Sequence, residues 1–145
     1  IQELLHEEGE AKAISQGICD IAIMNHYYYF QMKKNKNPAQ HKWAESIRIV
    51  FTNQGDRGNH VNISGIGLAK HSKNKKLAIT LMEYLSSKQA QSLYAEVNYE
   101  YPANAAMDAS REVKILGEFR ADQLPIATIA KLAPTAQRII DRVGW

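Results

Sequence analysis

The sequence predicts an α/β fold. Three observations point there: apolar residues recur at helical spacing in several segments, short β-branched runs lie between those segments, and Gly or Asn stands at the junctions. The alternation specifies helices and strands in turn, as in a mixed sheet, but not the order of the strands. At 145 residues, with 45% hydrophobic and 23% charged, the composition is that of a globular chain and excludes disordered, collagenous and coiled-coil classes. Nowhere does a run of about 18 apolar residues occur, so no segment is long and apolar enough to cross a bilayer as a helix.

Each element follows from local pattern. Ile1, Leu4, Leu5, Ala11 and Ile14 share one helical face, with Gly9 placed to divide it, and Gly17 is suited to end it as the left-handed residue after the last turn. Residues 18–24 are almost wholly apolar and β-branched, which predicts a strand covered on both faces with Cys19 as a small buried side chain. Asn25 is a good N-cap, since its side chain can accept from an unpaired amide of the next turn. Residues 26–34 then read as a short helix with Lys33 and Lys34 favourably placed in its last turn, ended by 35–38. A helix over 39–45 and a strand over 47–52 follow.

Residues 53–60 contain two glycines and no apolar side chain, which predicts a loop or a crossover between lobes. Residues 61–69 read as a strand in which Gly65 and Gly67 admit close approach of other backbone. Asn74 can cap a helix striped by Leu77, Ala78, Leu81, Met82 and Leu85, and Ala90, Leu93, Tyr94 and Val97 define the next face; the pair is expected to be packed support. Pro102 keeps 99–104 out of a helix and opens a loop to about Ser110. The last faces are Ile126, Ile129 and Ala130, then Ala136, Ile139, Ile140 and Val143, with an interruption expected at Pro134.

Charge and cysteine narrow the function. Lys and Arg number 18 against 15 Asp and Glu, for a net charge of +3. Ten basic residues face only Glu45 and Asp56 between positions 31 and 76, a local excess that could attract phosphate or an anionic surface. A nucleic-acid module built on it would show salt-sensitive binding to single strands. The commoner meaning of such a run is a solvated lysine face, and nucleic acid is not an expected partner. Cys19 is the only cysteine, so an internal disulfide and a zinc site built on cysteine pairs are both excluded.

The densest chemistry is Asn25-His26-Tyr27-Tyr28-Tyr29, where three of seven tyrosines are consecutive. In a strand these phenols would alternate between faces; in a first helical turn they reach around one exposed end. Ligands of open α/β sheets bind beyond the carboxyl ends of strands, where this turn is expected. A phenol titrates near 10 and ligates poorly until a hard trivalent cation stabilises its phenolate. Oxygen donors match ferric iron better than zinc or copper(I). Free amides at the helix start favour an anion beside such a metal. On spacing alone, burial of the aromatics in a core or interface competes with this reading. Other motifs are weaker: Gly65-Ile66-Gly67 has Lys70 where a dinucleotide fingerprint needs its third glycine, Ser64 belongs to no nucleophile motif, and the sequon at Asn62-Ile63-Ser64 is a chance match. Tyr99, Glu100 and Tyr101 offer oxygen donors but read foremost as a hinge beside Pro102.

Three blocks in order, EAKAISQGICDIAIMNHYYYF, GNHVNISGIGLAKHSKNKKLAITLMEYLSSKQAQ and YEYPAN, resemble the later part of the periplasmic ferric-ion-binding proteins that serve iron ABC transporters. The resemblance implies a type 2 periplasmic-binding-protein fold of α/β class, with this chain its C-terminal portion. Residues 1–58 and 109–145 would form the second lobe, with 59–108 a segment returning to the first and 53–60 and 99–108 the hinge crossings. By the family's Asn-x-Tyr-Tyr pattern, Tyr27 and Tyr28 match the tyrosinate metal ligands and Asn25 the anion contact. Tyr29 falls one place beyond and is assigned to packing, and His26 takes the variable position as a structural or solvent-facing residue. The implied ligand is Fe(III) with a synergistic anion (carbonate, phosphate or citrate), held by a monomer in the periplasm and passed to an inner-membrane ABC permease without covalent chemistry. The alternative on the same fold is a binding protein for another oxyanion or a small organic solute.

Overall fold

The computed structural model describes residues 7–144; the apolar face read at Ile1, Leu4 and Leu5 lies outside them. Seven helices occur among the described residues: α1 Glu7–Ser15, α2 His26–Lys34, α3 Pro38–Glu45, α4 Lys75–Leu85, α5 Lys88–Val97, α6 Arg111–Lys114 and α7 Ile126–Val143. By contacts within the chain the residues fall into two compact units, the described part of Ile1–Val50 with Asn62–Glu118, and Phe51–Val61 with Phe119–Trp145 up to residue 144. These units group this chain's own contacts, whereas the lobes expected above are those of a longer protein.

In the first unit, α1 carries Gly9 without a break and stops where the sequence requires. Gly17 turns left-handed at φ 70°, its amide bonds the Ile14 carbonyl at 3.0 Å, and the Ile18 amide bonds the Ala13 carbonyl at 2.9 Å. This doubly bonded stop satisfies carbonyls that the helix end would otherwise orphan. α2 occupies the span expected of it. α3 begins one residue before the expected start because Pro38 fits the first helical position, and the Asn37 side chain accepts from the Ala39 amide at 3.0 Å. One buried side chain from each of these helices, Ala11, Met32 and Ala44, forms a core against which Met24, Tyr29, Trp43 and Ile47 pack. Two alanines and a methionine allow close helix approach while the flexible thioether fills the remaining space.

The strands are corrected. Among the described residues no β-ladder forms, and the one bridge is an isolated parallel pair between Asn59 and Ala121 in the second unit. Residues 18–24 are not a buried strand: Ile18, Ile21 and Ile23 are exposed, Ile21 by 84%, and Cys19 is half-buried. β-branching favours extended backbone, but a ladder also needs neighbours for its amides and carbonyls, and local sequence cannot supply them. Residues 47–52 alternate, with Ile47, Ile49 and Phe51 partly covered and Arg48, Val50 and Thr52 exposed. Residues 61–69 are exposed throughout, and no atom approaches Gly65 or Gly67 closely enough to exclude a side chain, so close backbone approach is not their role here.

The helical supports are corrected too. α4 buries nothing, with Leu77 and Leu81 exposed, and α5 buries only Ala90 and Ala95. Their stripes exist as predicted but are only partly covered among the described residues: Ala78, Met82 and Leu85 of α4 are half-buried, while Leu93, Tyr94 and Val97 of α5 are exposed. Residues 99–104 are non-helical, as Pro102 requires.

The second unit is organised by the 53–60 loop. Gly58, at φ 94°, approaches Arg120 and Ala121 so closely that an added Cβ would lie 2.6 Å from the Arg120 carbonyl oxygen. That approach lets the Asn59 amide bond the Arg120 carbonyl and the Asp122 amide bond the Asn59 carbonyl, both at 2.8 Å. Gln54 adds a two-way clasp, its Oε1 accepting from the Arg120 amide at 2.7 Å and its Nε2 donating to the Arg120 carbonyl at 3.1 Å. Phe51 and Phe119 stack at 4.3 Å between centroids. α7 runs through Pro134 uninterrupted, contrary to expectation. One missing amide and a steric kink are tolerated where the turns on either side keep their own bonds.

Candidate functional site

The unusual residues gather at the start of α2. Asn25 sits at the N-cap in extended conformation, φ −72° and ψ 136°, but its side chain makes no capping bond, contrary to the expected role. Its Oδ1 instead accepts from Asn62 Nδ2 at 3.3 Å, across 37 positions of sequence. An acceptor used in this way turns the amide nitrogen, which can only donate, toward the remaining directions. The backbone carbonyl of Asn25 still receives the Tyr28 amide at 3.3 Å and closes the first turn.

Tyr27 and Tyr28 are partly buried and lie side by side, with ring centroids 4.6 Å apart and planes inclined at 41°. Successive residues of a helix diverge by about 100°, so adjacent rings meet only when both side chains lean toward the helix N-terminus, the usual direction for long side chains in helices. Two phenols held together offer paired hard oxygen donors. Tyr29 diverges from them and packs on the Ala11–Met32–Ala44 core, the packing role expected of it, with Lys33 Nζ 5.5 Å above its ring.

His26 faces another way. Its Nε2 lies 2.7 Å from the carbonyl oxygen of Tyr99. A carbonyl can only accept, so this nitrogen carries a proton. The imidazole ring stands 5.0 Å from Tyr101 and 5.9 Å, edge on, from Tyr27. Burial holds His26 below the usual imidazole range, opposed by the bond to Tyr99 and by the charge of Glu100. Burial likewise raises the Tyr101 phenol above its usual range. Phe30, one turn along α2 and buried, sets its ring 5.4 Å from that of Tyr99. Tyr99 itself has φ 61°, a left-handed conformation uncommon for a bulky residue. The 99–101 segment thus meets α2 at His26 and at Phe30.

Asn25, Tyr27 and Tyr28 are therefore brought to one helix end, as their adjacency in sequence requires. Sequence reasoning missed Asn62 and the His26 bond to Tyr99, because both join residues far apart in the chain and no local spacing signals them. Among the described residues no three His, Cys, Asp or Glu side chains converge as a metal site. No described helix is long and apolar enough to cross a membrane.

Residues 6–121 match the family of bacterial extracellular solute-binding proteins, and the chain belongs to that family. Among individual proteins, it is 35% identical over 142 residues to Iron uptake protein A2 of Synechocystis sp., a match covering 97% of this chain and 41% of that protein. The solved ferric binding protein from Campylobacter jejuni is similar with a TM-score of 0.89 and 38% identity, over 95% of this chain and 44% of the other. A Trichodesmium protein solved in complex with iron and citrate ligands has the same TM-score of 0.89 and 38% identity, over 97% of this chain and 44% of its own. The chain spans about two fifths of the length of the relatives it matches. Over that part its fold is that of the ferric-binding proteins and hence of the periplasmic binding proteins, as the resemblance implied.

Proposed function

We propose that the protein is a solute-binding component of iron uptake: it captures ferric iron through Tyr27 and Tyr28 as tyrosinates, with Asn25 contacting a synergistic anion. The observation that carries this reading is the tyrosine pair, with rings 4.6 Å apart at the start of α2 beside an asparagine whose side chain does not cap that helix. Loss of both phenol protons is driven by the trivalent ion, and the helix start favours the anion. Similarity to iron uptake and ferric binding proteins supports iron as the cargo, and the Trichodesmium complex supports citrate among carbonate, phosphate and citrate as the anion. The protein acts as a monomer in the periplasm, performs no covalent chemistry and delivers iron to an ABC permease of the inner membrane. In the complete protein, 1–58 and 109–145 belong to the second lobe and 59–108 to the segment returning to the first, with the remaining ligands drawn from residues outside this chain.

Addition of ferric citrate to the full-length protein is expected to give a visible tyrosinate-to-iron charge-transfer band, weakened by Tyr27→Phe and by Tyr28→Phe. A protein that stays colourless and gives no calorimetric signal sinks the proposal.

A further inference from the structure

We infer that His26 is a positioning residue for the tyrosine pair: its hydrogen bond to the Tyr99 carbonyl ties the first turn of α2 to the 99–101 segment and so fixes the direction in which Tyr27 leaves the helix. The inference rests on the proposed ferric-binding role and extends it to a residue outside the ligand set.

Five observations converge on it. The first turn of any helix is its least restrained, because its leading amides have no intrahelical partner, and here Asn25 adds no side-chain cap. His26 opens that turn immediately before Tyr27, and its 2.7 Å bond spans 73 positions of sequence. The imidazole presents its face or edge to both Tyr27 and Tyr101, so a change in its placement is transmitted directly to the Tyr27 ring. Phe30 lies four residues on, where the helical repeat returns to the same face, and grips the Tyr99 ring, giving the 99–101 segment a second point of attachment. Between these grips Tyr99 adopts a left-handed backbone that a bulky residue holds only where its surroundings determine it. The bond also decides what His26 is not: an imidazole whose Nε2–H is given to a backbone carbonyl does not offer that nitrogen to a metal. It acts as supporting partners act in metal sites generally, orienting the groups that ligate.

The test uses the full-length protein loaded from ferric citrate. His26→Ala removes the bond, His26→Gln carries an amide donor in nearly the place of the imidazole Nε2, and Tyr27→Phe marks a lost ligand. For His26→Ala we expect an iron-free melting temperature close to that of the wild type, a shifted charge-transfer band, and iron retention against excess citrate weakened about tenfold, the lower end of what loss of a supporting partner costs a metal site. His26→Gln should restore both the band and the retention. Should His26→Ala fail to fold, His26→Asn, whose shorter amide falls short of the carbonyl, takes its place. The inference falls if the bond-free variant has wild-type band and retention while Tyr27→Phe changes them. It falls equally if Gln behaves like Ala, since the bond is then not the agent. A colourless wild-type protein overturns the ferric reading and this inference with it.

Discussion

α7 carries a marked apolar stripe and α2 a weak one, yet of the two only α2 buries any of its residues. Phe30 and Met32 of α2 are 4% and 0% exposed, while Ile126, Leu132, Ile139, Ile140 and Val143 of α7 remain between 39% and 65% exposed. The difference lies in what the neighbouring sequence provides. α2 is flanked by α1 and α3, whose Ala11 and Ala44 leave room for Met32, so a short contiguous stretch supplies its own core. α7 has the clearer stripe of the two but no buried contact among the described residues, and its order rests on backbone bonds and the left-handed Gly144 at its end. A helical period states that a face exists; coverage depends on a partner elsewhere. The candidate site stands on the helix with the locally supplied core.

Substitutions can break this contrast. Met32→Ala empties the centre of the α1–α2–α3 core and should cost about 2–5 kcal/mol by chemical denaturation. Leu132→Ala on α7, 54% exposed, should cost under about 1 kcal/mol; an equal loss would mean that the α7 face is covered in solution and the contrast fails. Next in size is Gly58→Ala, which forces a Cβ to within 2.6 Å of the Arg120 carbonyl oxygen at φ 94° and should cost about 1–3 kcal/mol, read as a lowered melting midpoint. A third comparison sharpens the site itself. Asn37→Ala removes a working cap on α3 and should cost about 1 kcal/mol, whereas Asn25→Ala removes none from α2 and should cost less while weakening anion-dependent iron loading. Equal destabilisation would place Asn25 among the structural residues.

The smallest effect is electrostatic. Lys34 Nζ lies 3.0 Å from Glu112 Oε1, and this contact holds Glu112 below its ordinary 4.5 and raises Lys34. A lowered carboxylate adds stability that is full above its unfolded value and fades as pH falls through the folded one. Glu112→Gln should therefore flatten the acid limb of the melting-temperature profile below about 4.5, by little, because both groups are solvated.

Much of the fold was legible, and most of the illegible part has one cause. The span of α2, the stop at Gly17, the 53–60 loop and the non-helical 99–104 all depend on nearest neighbours, and each follows from residue type and spacing. The strands over 18–24 and 61–69 and the burial of α4 depend on surfaces remote in sequence, and there local reasoning overreached. Pro134 shows the reverse error, since a long helix can absorb a proline that a short one cannot. Within the site, Tyr27 and Tyr28 were readable because they are adjacent. Asn62 and the His26 bond to Tyr99 were not, since the first lies within a segment read as a strand and the second joins two segments with no shared pattern.

The bond between His26 and Tyr99 also has a place in time. The three helices around Met32 are close in sequence, joined through residues 16–25 and 35–37, and closures of that size come at lower entropic cost than distant ones. The carbonyl that accepts the His26 Nε2–H bond lies 73 residues onward and must wait for a far larger loop to close. Loop length alone therefore predicts that the tyrosine pair is made in two stages, a scaffold first and its alignment only when the distant turn arrives.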